Sequence, residues 1–452
     1  MRQVRARAYL ALALLNVFVL VAGVVVLDLV SARPRTVVPG PAVPTATVRA
    51  PEPQESGIAP AVLAERVDAA IAASGLAGVS GYVTDAATGR ALYDLDAETA
   101  SVPASTTKVL TAVAALDTLG PDARISTEVV HGAGPGEIVL VGAGDPTLTE
   151  VPIPGGYPRL ATLEDLAERT ASALAADGVE AVRLGYDNGL YTGPATGPGW
   201  KPGYITEGSV AEVHALMLDG GRVDRTQNYG PRVADPPATA AAAFARRLAE
   251  AGITVDGDPV PAEGAGERIA AVDSAPVSAL VEKMMLESEN LIAEALVRQV
   301  AIAEGAEPSF AGASASVAGV VERLGVTGAH AADGSGLSVD NRISPKALVD
   351  LLTLAADPER PGLSFTLSGL PTGHFTGHLD DRYSPASGAG AGAGTVRAKT
   401  GTLDGVSALA GTVRDKEGNL LFFTFIANDP AAEGRTLDTF AAAIAECGCA
   451  AS

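Results

Sequence analysis

The chain has 452 residues, 47% hydrophobic and 19% charged, enough for more than one domain around sizeable cores. Its formal net charge of −21 leaves no basic footprint for nucleic acid, and the acidic surplus reads as a solvated surface. Cys447 and Cys449, in "ECGC", have no accompanying Cys or His cluster and make a poor metal site; they can form a tight disulfide outside the cytoplasm or stay free thiols.

The chain opens on "MRQVRAR", with three arginines, followed by twenty residues from Ala8 to Leu27 in which only Asn16 is plainly polar. That length can span a bilayer, and the basic flank predicts the N-terminus inside and the body outside. Residues 1–32 are therefore a transmembrane anchor or, with "VSA" ending at Ala32 as a cleavage site, a signal peptide. Residues 33–58 carry six prolines and no hydrophobic period, which reads as an extended linker.

Leu63, Val67 and Ile71 then share one helical face. "GVSGYVTDAATGRALYDLD" reads as two strands about a turn at 87–89. "STTKVLTAVAALDTL" is a helix stopped by Gly120-Pro121, completing a first segment over 59–121. Residues 122–275 alternate strand-like runs with Pro/Gly loops and two Ala-rich helices over 163–177 and 238–251, which predicts an inserted second domain. From 276 to 452 come four helices, three consecutive strands ("TVRAKTGT", "VSALAGTVRD", "NLLFFTFIAN") and a last helix. Strands joined by short turns predict an antiparallel sheet, and with the helices a mixed α/β (α+β) fold. "SGAGAGAG" at 387–394 reads as a flexible loop before a strand.

Three short stretches carry chemistry. In "PASTTKVL", Ser105 and Lys108 are i and i+3 on a helix, so hydroxyl and amine can meet. A serine needs something to remove its proton, and a lysine can do so if burial and nearby positive charge make it neutral. An arginine cannot, and the chain has six lysines against twenty-six arginines. In "LESENLIAEAL", Ser288 and Asn290 sit at a break between helices, where they can face one cleft or merely cap a helix. In "VRAKTGTLDG", Lys399, Thr400, Gly401 and Thr402 lie on a strand, with Lys399 and Gly401 facing one way and the threonines the other. Gly401 leaves room for close approach, and the lysine and hydroxyls suit a carboxylate; the alternative is an edge lysine that discourages aggregation. His374 and His378, with Asp380 and Asp381, fall in a loop and suggest no metal site. Asp333 in "DGSGLS" reads as a turn residue or as a support at the cleft.

S-x-x-K, S-x-N and K-T-G, once each and in that order, resemble the active-serine penicillin-recognising enzymes. "GAGDPTL" (142–148), "PGW" (198–200), "SENLIAEAL" (288–296) and "DGSGLS" (333–338) resemble the D-alanyl-D-alanine carboxypeptidase/endopeptidase branch, over about residues 60 to 447. That resemblance implies a penicillin-binding, transpeptidase-like domain with a β-rich domain inserted after the serine helix. It implies a cofactor-free, metal-free hydrolase acting on peptidoglycan stem peptides and inhibited by β-lactams. Ser105 would be the nucleophile, Lys108 the base, Ser288 a proton relay, Asn290 a holder of the acyl amide, and Lys399, Thr400 and Thr402 the holders of the leaving-group carboxylate. Backbone N–H groups of Ser105 and Thr402 would hold the oxyanion. A β-lactamase of the same superfamily, a transpeptidase and a non-catalytic wall-binding protein are the alternatives. The chain departs from the family pattern at Gly377-His378-Leu379, where Gly-Thr-Leu is common, and at "KPGY" after Trp200, where some members place acidic residues.

Overall fold

Residues 57–449 are described by the computed structural model of the chain; the apolar run from Ala8 to Leu27 and the proline-rich segment as far as residue 56 lie outside the described residues. Ile58, placed in the linker by composition, is buried against the core. Among the described residues no helix is long and apolar enough to cross a membrane.

Helix α1 (Pro60–Ser74) buries Leu63 and Val67 and ends on Gly75, whose φ of 69° suits a glycine C-cap. A hairpin follows, β1 (Val79–Asp85) and β2 (Ala91–Leu95), and then α2 (Thr107–Leu119). The second sheet is built next, from β3 (Ser126–His131), β4 (Glu137–Val141), α3 (Leu163–Ala176), β5 (Ala181–Asp187), α4 (Pro236–Glu250), β6 (Thr254–Val255), β7 (Val260–Pro261) and β8 (Arg268–Asp273). Four longer helices come after it: α5 (Val277–Glu287), α6 (Asn290–Ala303), α7 (Phe310–Arg323) and, beyond a short β9–β10 pair (Ala329–His330 and Arg342–Ile343), α8 (Pro345–Ala355). The chain closes with β11 (Val396–Leu403), β12 (Val406–Arg414), β13 (Leu420–Asn428) and α9 (Asp438–Ala445).

The main sheet has the order β11-β12-β13-β1-β2 and is antiparallel throughout. Its central strands are buried on both faces, which is why β12 and β13 read as continuous apolar runs. Alternation divides them. Ala408, Ala410, Phe422 and Ile426 lie on the face covered by α8, in one core with residues of α2, α5 and α6, while Leu409, Phe423 and Phe425 share a core with α1 and α9. Phe425 stacks edge-on to Phe440 of α9 at 5.5 Å, and each such buried ring contributes about 1.5–3 kcal/mol. The sheet is thus flanked by helices on both sides, and β11 forms one edge.

The second sheet, β6-β5-β4-β3-β8, is mixed: β4 and β5 are parallel, joined by the crossover α3. Helices α3 and α4 pack Leu166 and Phe244 onto it. Its exit strand β8 has no alternation in the sequence, and its pairing with β3 makes it a strand. Entry and exit are stitched together: Ile125 N–H donates to Ser274 Oγ (2.9 Å) and Ser274 N–H to Ile125 O (2.8 Å). The segment 387–394 is tighter than a flexible loop. Gly390–Gly392 form a 3-10 turn, and Gly392 lies against the Tyr383 ring, where a β-carbon would clash. Cys447 and Cys449 are buried and paired, with Cα atoms 5.0 Å apart.

Candidate active site

Helix α2 is preceded by a 3-10 turn, Ala104–Thr106, in which Ala104 takes the left-handed φ of 47°. Such a conformation costs a non-glycine residue about 1–3 kcal/mol and persists only where its surroundings fix it. Here Thr106 Oγ1 donates to Pro103 O (2.7 Å) and Thr107 Oγ1 to Ala104 O (2.8 Å). Two glycines press on the turn from outside. A β-carbon on Gly401 would stand 2.7 Å from Pro103 O and 3.1 Å from Ser105 N, and Gly336 (φ 84°) backs onto Ala104 O. Close approach is therefore the physical reason for Gly401. Ser105 remains half-exposed at the tip.

Lys108 lies one turn further on and is fully buried, with Nζ 3.0 Å from Ser105 Oγ, 2.7 Å from Asn290 Oδ1 and 2.6 Å from Ser335 O. Asn290 Nδ2 donates to Ser209 O (2.9 Å). A carbonyl only accepts, so that bond fixes the Asn290 amide with its oxygen toward Lys108. Two of the three neighbours of Nζ can then only accept. A neutral amine spends its two hydrogens on them, and its lone pair is left facing the Ser105 hydroxyl. Burial lowers the Lys108 pKa to about 8, against the opposing pull of Asp333, Glu294 and Glu289. The sequence-based expectation that neighbouring positive charge would help is corrected here: desolvation lowers the pKa, and the charges that act on it are carboxylates that raise it.

Ser288 closes α5 in the left-handed conformation (φ 56°, ψ 33°), and Asn290 opens α6. Neither side chain caps a helix, which removes the capping alternative. Lys399 is fully buried, so it is no guard on the sheet edge; its Nζ donates to Ser288 Oγ (2.9 Å) and Thr400 O (2.8 Å). Burial first, then Lys108 and Arg382, holds the Lys399 ammonium well below the usual lysine range. Along β11 the expected alternation is seen, with Lys399 and Gly401 buried, Thr400 half-buried and Thr402 exposed. Among the described residues neither threonine hydroxyl is engaged by another side chain.

A buried polar layer holds these groups. Asp333 accepts from Gly336 N (2.9 Å), Ser338 N (2.7 Å), Asn341 Nδ2 (2.7 Å) and Trp200 Nε1 (2.7 Å). It is both the turn residue and the support that sequence offered as alternatives. Glu294 Oε1 accepts from Gly334 N (3.1 Å) and Ser335 N (2.8 Å), so the carbonyl facing Lys108 is held from α6. Burial and then the Asp333 charge raise the Glu294 pKa to about 7. Arg298, stacked 4.0 Å over the Phe310 ring, donates to the Glu294 carbonyl (2.9 Å). Arg222 pairs with Glu289 at 2.5 Å, beside Ser288. Sequence reasoning missed Glu294, Arg222 and the carbonyls of Ser209 and Ser335. The one visible signal was a Glu/Arg pair at i,i+4 inside the apolar run of α6. His378 Nε2 lies 2.9 Å from Glu287 O. Among the described residues no group of His, Cys, Asp or Glu could hold a metal ion.

Five of the eight residues singled out from sequence, Ser105, Lys108, Asn290, Ser288 and Lys399, meet through hydrogen bonds in two sets, and Gly401 touches the Ser105 turn. The profile of the D-Ala-D-Ala carboxypeptidase 3 (S13) family matches residues 63–230 and 223–447. The chain belongs to that family. It is 37% identical over 417 residues to carboxypeptidase DacB of Mycolicibacterium smegmatis, across 91% of this chain and 88% of that one. It is 30% identical over 436 residues to a D-alanyl-D-alanine carboxypeptidase of an Actinomadura species, across 76% and 77% of the two chains. Its fold is shared with the crystal structure of penicillin binding protein 4 (dacB) from Haemophilus influenzae, at a TM-score of 0.67 and 22% identity over 83% of this chain and 97% of that one.

Proposed function

We propose that this family member is a serine D-Ala-D-Ala carboxypeptidase that acts on peptidoglycan stem peptides in the cell envelope and is acylated by β-lactams. The observation that carries the reading is the neighbourhood of Lys108, in which the lone pair of the neutral amine has one hydroxyl to face. At pH 7 a pKa of about 8 leaves roughly 10% of Lys108 neutral, about 300-fold more than an ordinary lysine.

In this reading Lys108 Nζ takes the Ser105 proton as Oγ attacks the carbonyl carbon of the penultimate D-Ala. The carbonyl π pair moves to its oxygen, which the N–H groups of Ser105 and Thr402 receive. The pair returns, the C–N bond breaks, and Ser288 passes its hydroxyl proton to the departing amine and is refilled with the proton that Lys108 took from Ser105. Free D-Ala leaves with its carboxylate held by Lys399, Thr400 and Thr402. Asn290 keeps the acyl amide in register, and water then cleaves the ester. The same residues accept a β-lactam carbonyl in place of the peptide.

Residues 122–275 we read as a domain inserted between the two halves of the catalytic domain, a reading supported by the stitched entry and exit strands. We place the body outside the cytoplasmic membrane, carried or anchored there by the run from Ala8 to Leu27. The test is labelled penicillin on the chain and on Ser105→Ala, followed by D-Ala release from a stem pentapeptide. Label on the wild type alone, with D-Ala release, is expected. No label on the wild type would overturn the reading, and label lost within seconds without D-Ala release would make the chain a β-lactamase.

A further inference from the structure

His378 belongs to neither of the two hydrogen-bonded sets described above, and its place in the fold gives it a task. It sits in a 3-10 turn, Gly377–Leu379, packed on the end of α5. Gly377 (φ 57°) lies so close to Leu286 that a β-carbon would strike the Leu286 carbonyl and stand 3.0 Å from its side chain. That contact delivers the imidazole to the last carbonyl of the helix, with Nε2 2.9 Å from Glu287 O. Carbonyls in the last turn of a helix lack partners within the helix. This one immediately precedes Ser288, whose left-handed conformation must be imposed from outside.

We propose that His378 is a positioning residue: by donating Nε2–H to the Glu287 carbonyl it fixes the turn that points Ser288 Oγ at Lys399. The assignment rests on the reading of Ser288 as a proton relay. A carbonyl only accepts, so the bond dictates the tautomer, with hydrogen on Nε2 and the lone pair on Nδ1. The charged groups that act on the imidazole are Lys399 from β11, Lys108 from α2 and Asp380 from its own turn. Burial and then the two lysines hold its pKa below the usual histidine value, so the neutral form with this fixed tautomer is the working one near neutral pH. A threonine at this position is too short to replace the bond. Glutamine, whose Nε2 sits at a similar reach, can.

Two measurements test this. The first is independent of activity: long-range ¹⁵N–¹H spectra of the wild type, with His378 assigned by its loss in His378→Ala. The Nε2–H tautomer is expected, and the Nδ1–H tautomer would overturn the proposal. The second is acylation by a fluorescent penicillin at saturating and sub-saturating concentrations. His378→Ala should lose about tenfold in the limiting acylation rate with the half-saturating concentration unchanged, as displacement of a proton relay requires. His378→Gln should recover to within about threefold of the wild type. An alanine variant as fast as the wild type, or a glutamine variant as slow as alanine with its melting temperature intact, would overturn the proposal. A wild type that takes no penicillin would sink the functional reading instead, and the tautomer would still decide whether His378 holds the turn.

Discussion

Gly401→Ala adds one methyl group where β11 passes the Ser105 turn. That methyl would stand 2.7 Å from Pro103 O and 3.1 Å from both Ala104 Cβ and Ser105 N. Ordinary contact to a backbone oxygen needs at least about 3.2 Å, so strand and turn must part by roughly 0.5 Å. Neither yields easily. β11 is paired to β12 along its whole length, and the turn is fixed by the threonine bonds at Pro103 and Ala104. Overpacking of this kind costs about 1–3 kcal/mol. The larger effect is on chemistry, because the gap separates the Ser105 N–H from the Thr402 N–H across the proposed oxyanion site. A misplacement of 1 Å costs about a hundredfold, so roughly 0.5 Å predicts a loss near tenfold or more. The assay is stopped-flow acylation with a fluorescent penicillin, beside a melting curve expected to fall by a few degrees. Acylation within twofold of the wild type at an unchanged melting temperature would refute the close-approach reasoning.

Asp333→Asn places an amide N–H₂ among five donors, Gly336 N, Ser338 N, Asn341 Nδ2, Trp200 Nε1 and Ser335 Oγ. It should cost about 1–3 kcal/mol in a denaturant melt. The same change removes the carboxylate that most strongly raises the Lys108 pKa, so the acid limb of the acylation rate should move to lower pH; a shift to higher pH would contradict the electrostatics. Ser288→Ala removes the proposed relay but leaves Ser105 and Lys108 in contact. The limiting acylation rate should fall by at least about a hundredfold, and a rate near that of the wild type would take Ser288 out of the mechanism.

What could be read from sequence was what is local or periodic. Ser105 and Lys108 meet because i and i+3 share a helix face, and β11, β12 and β13, consecutive and joined by short turns, announce an antiparallel sheet. Gly401 could be read as a point of close approach, although not what approaches it. The rest depends on backbone atoms and long-range closure. The Ser335 and Ser209 carbonyls that orient Lys108 and Asn290 carry no residue-type signature, and they lie far from both in sequence. Strand β8 is defined by its pairing with β3, since "RIAAVD" alone favours no period. His378 lay in a run that read as loop, and only the packing of Gly377 on Leu286 brings it to α5.

The central claim, that neutral Lys108 takes the Ser105 proton, is tested most directly by the acylation rate as a function of pH in the wild type and in Lys108→Arg. Burial places the Lys108 pKa at about 8, so the neutral fraction, and with it the rate, should rise about tenfold per pH unit below that value and level off above it. Arginine keeps the positive charge but stays protonated at every accessible pH, so the variant should lose the limb and at least about a thousandfold in rate at pH 8. A wild-type rate that is flat from pH 6 to 9, or a Lys108→Arg protein that acylates within tenfold of the wild type, would contradict the account.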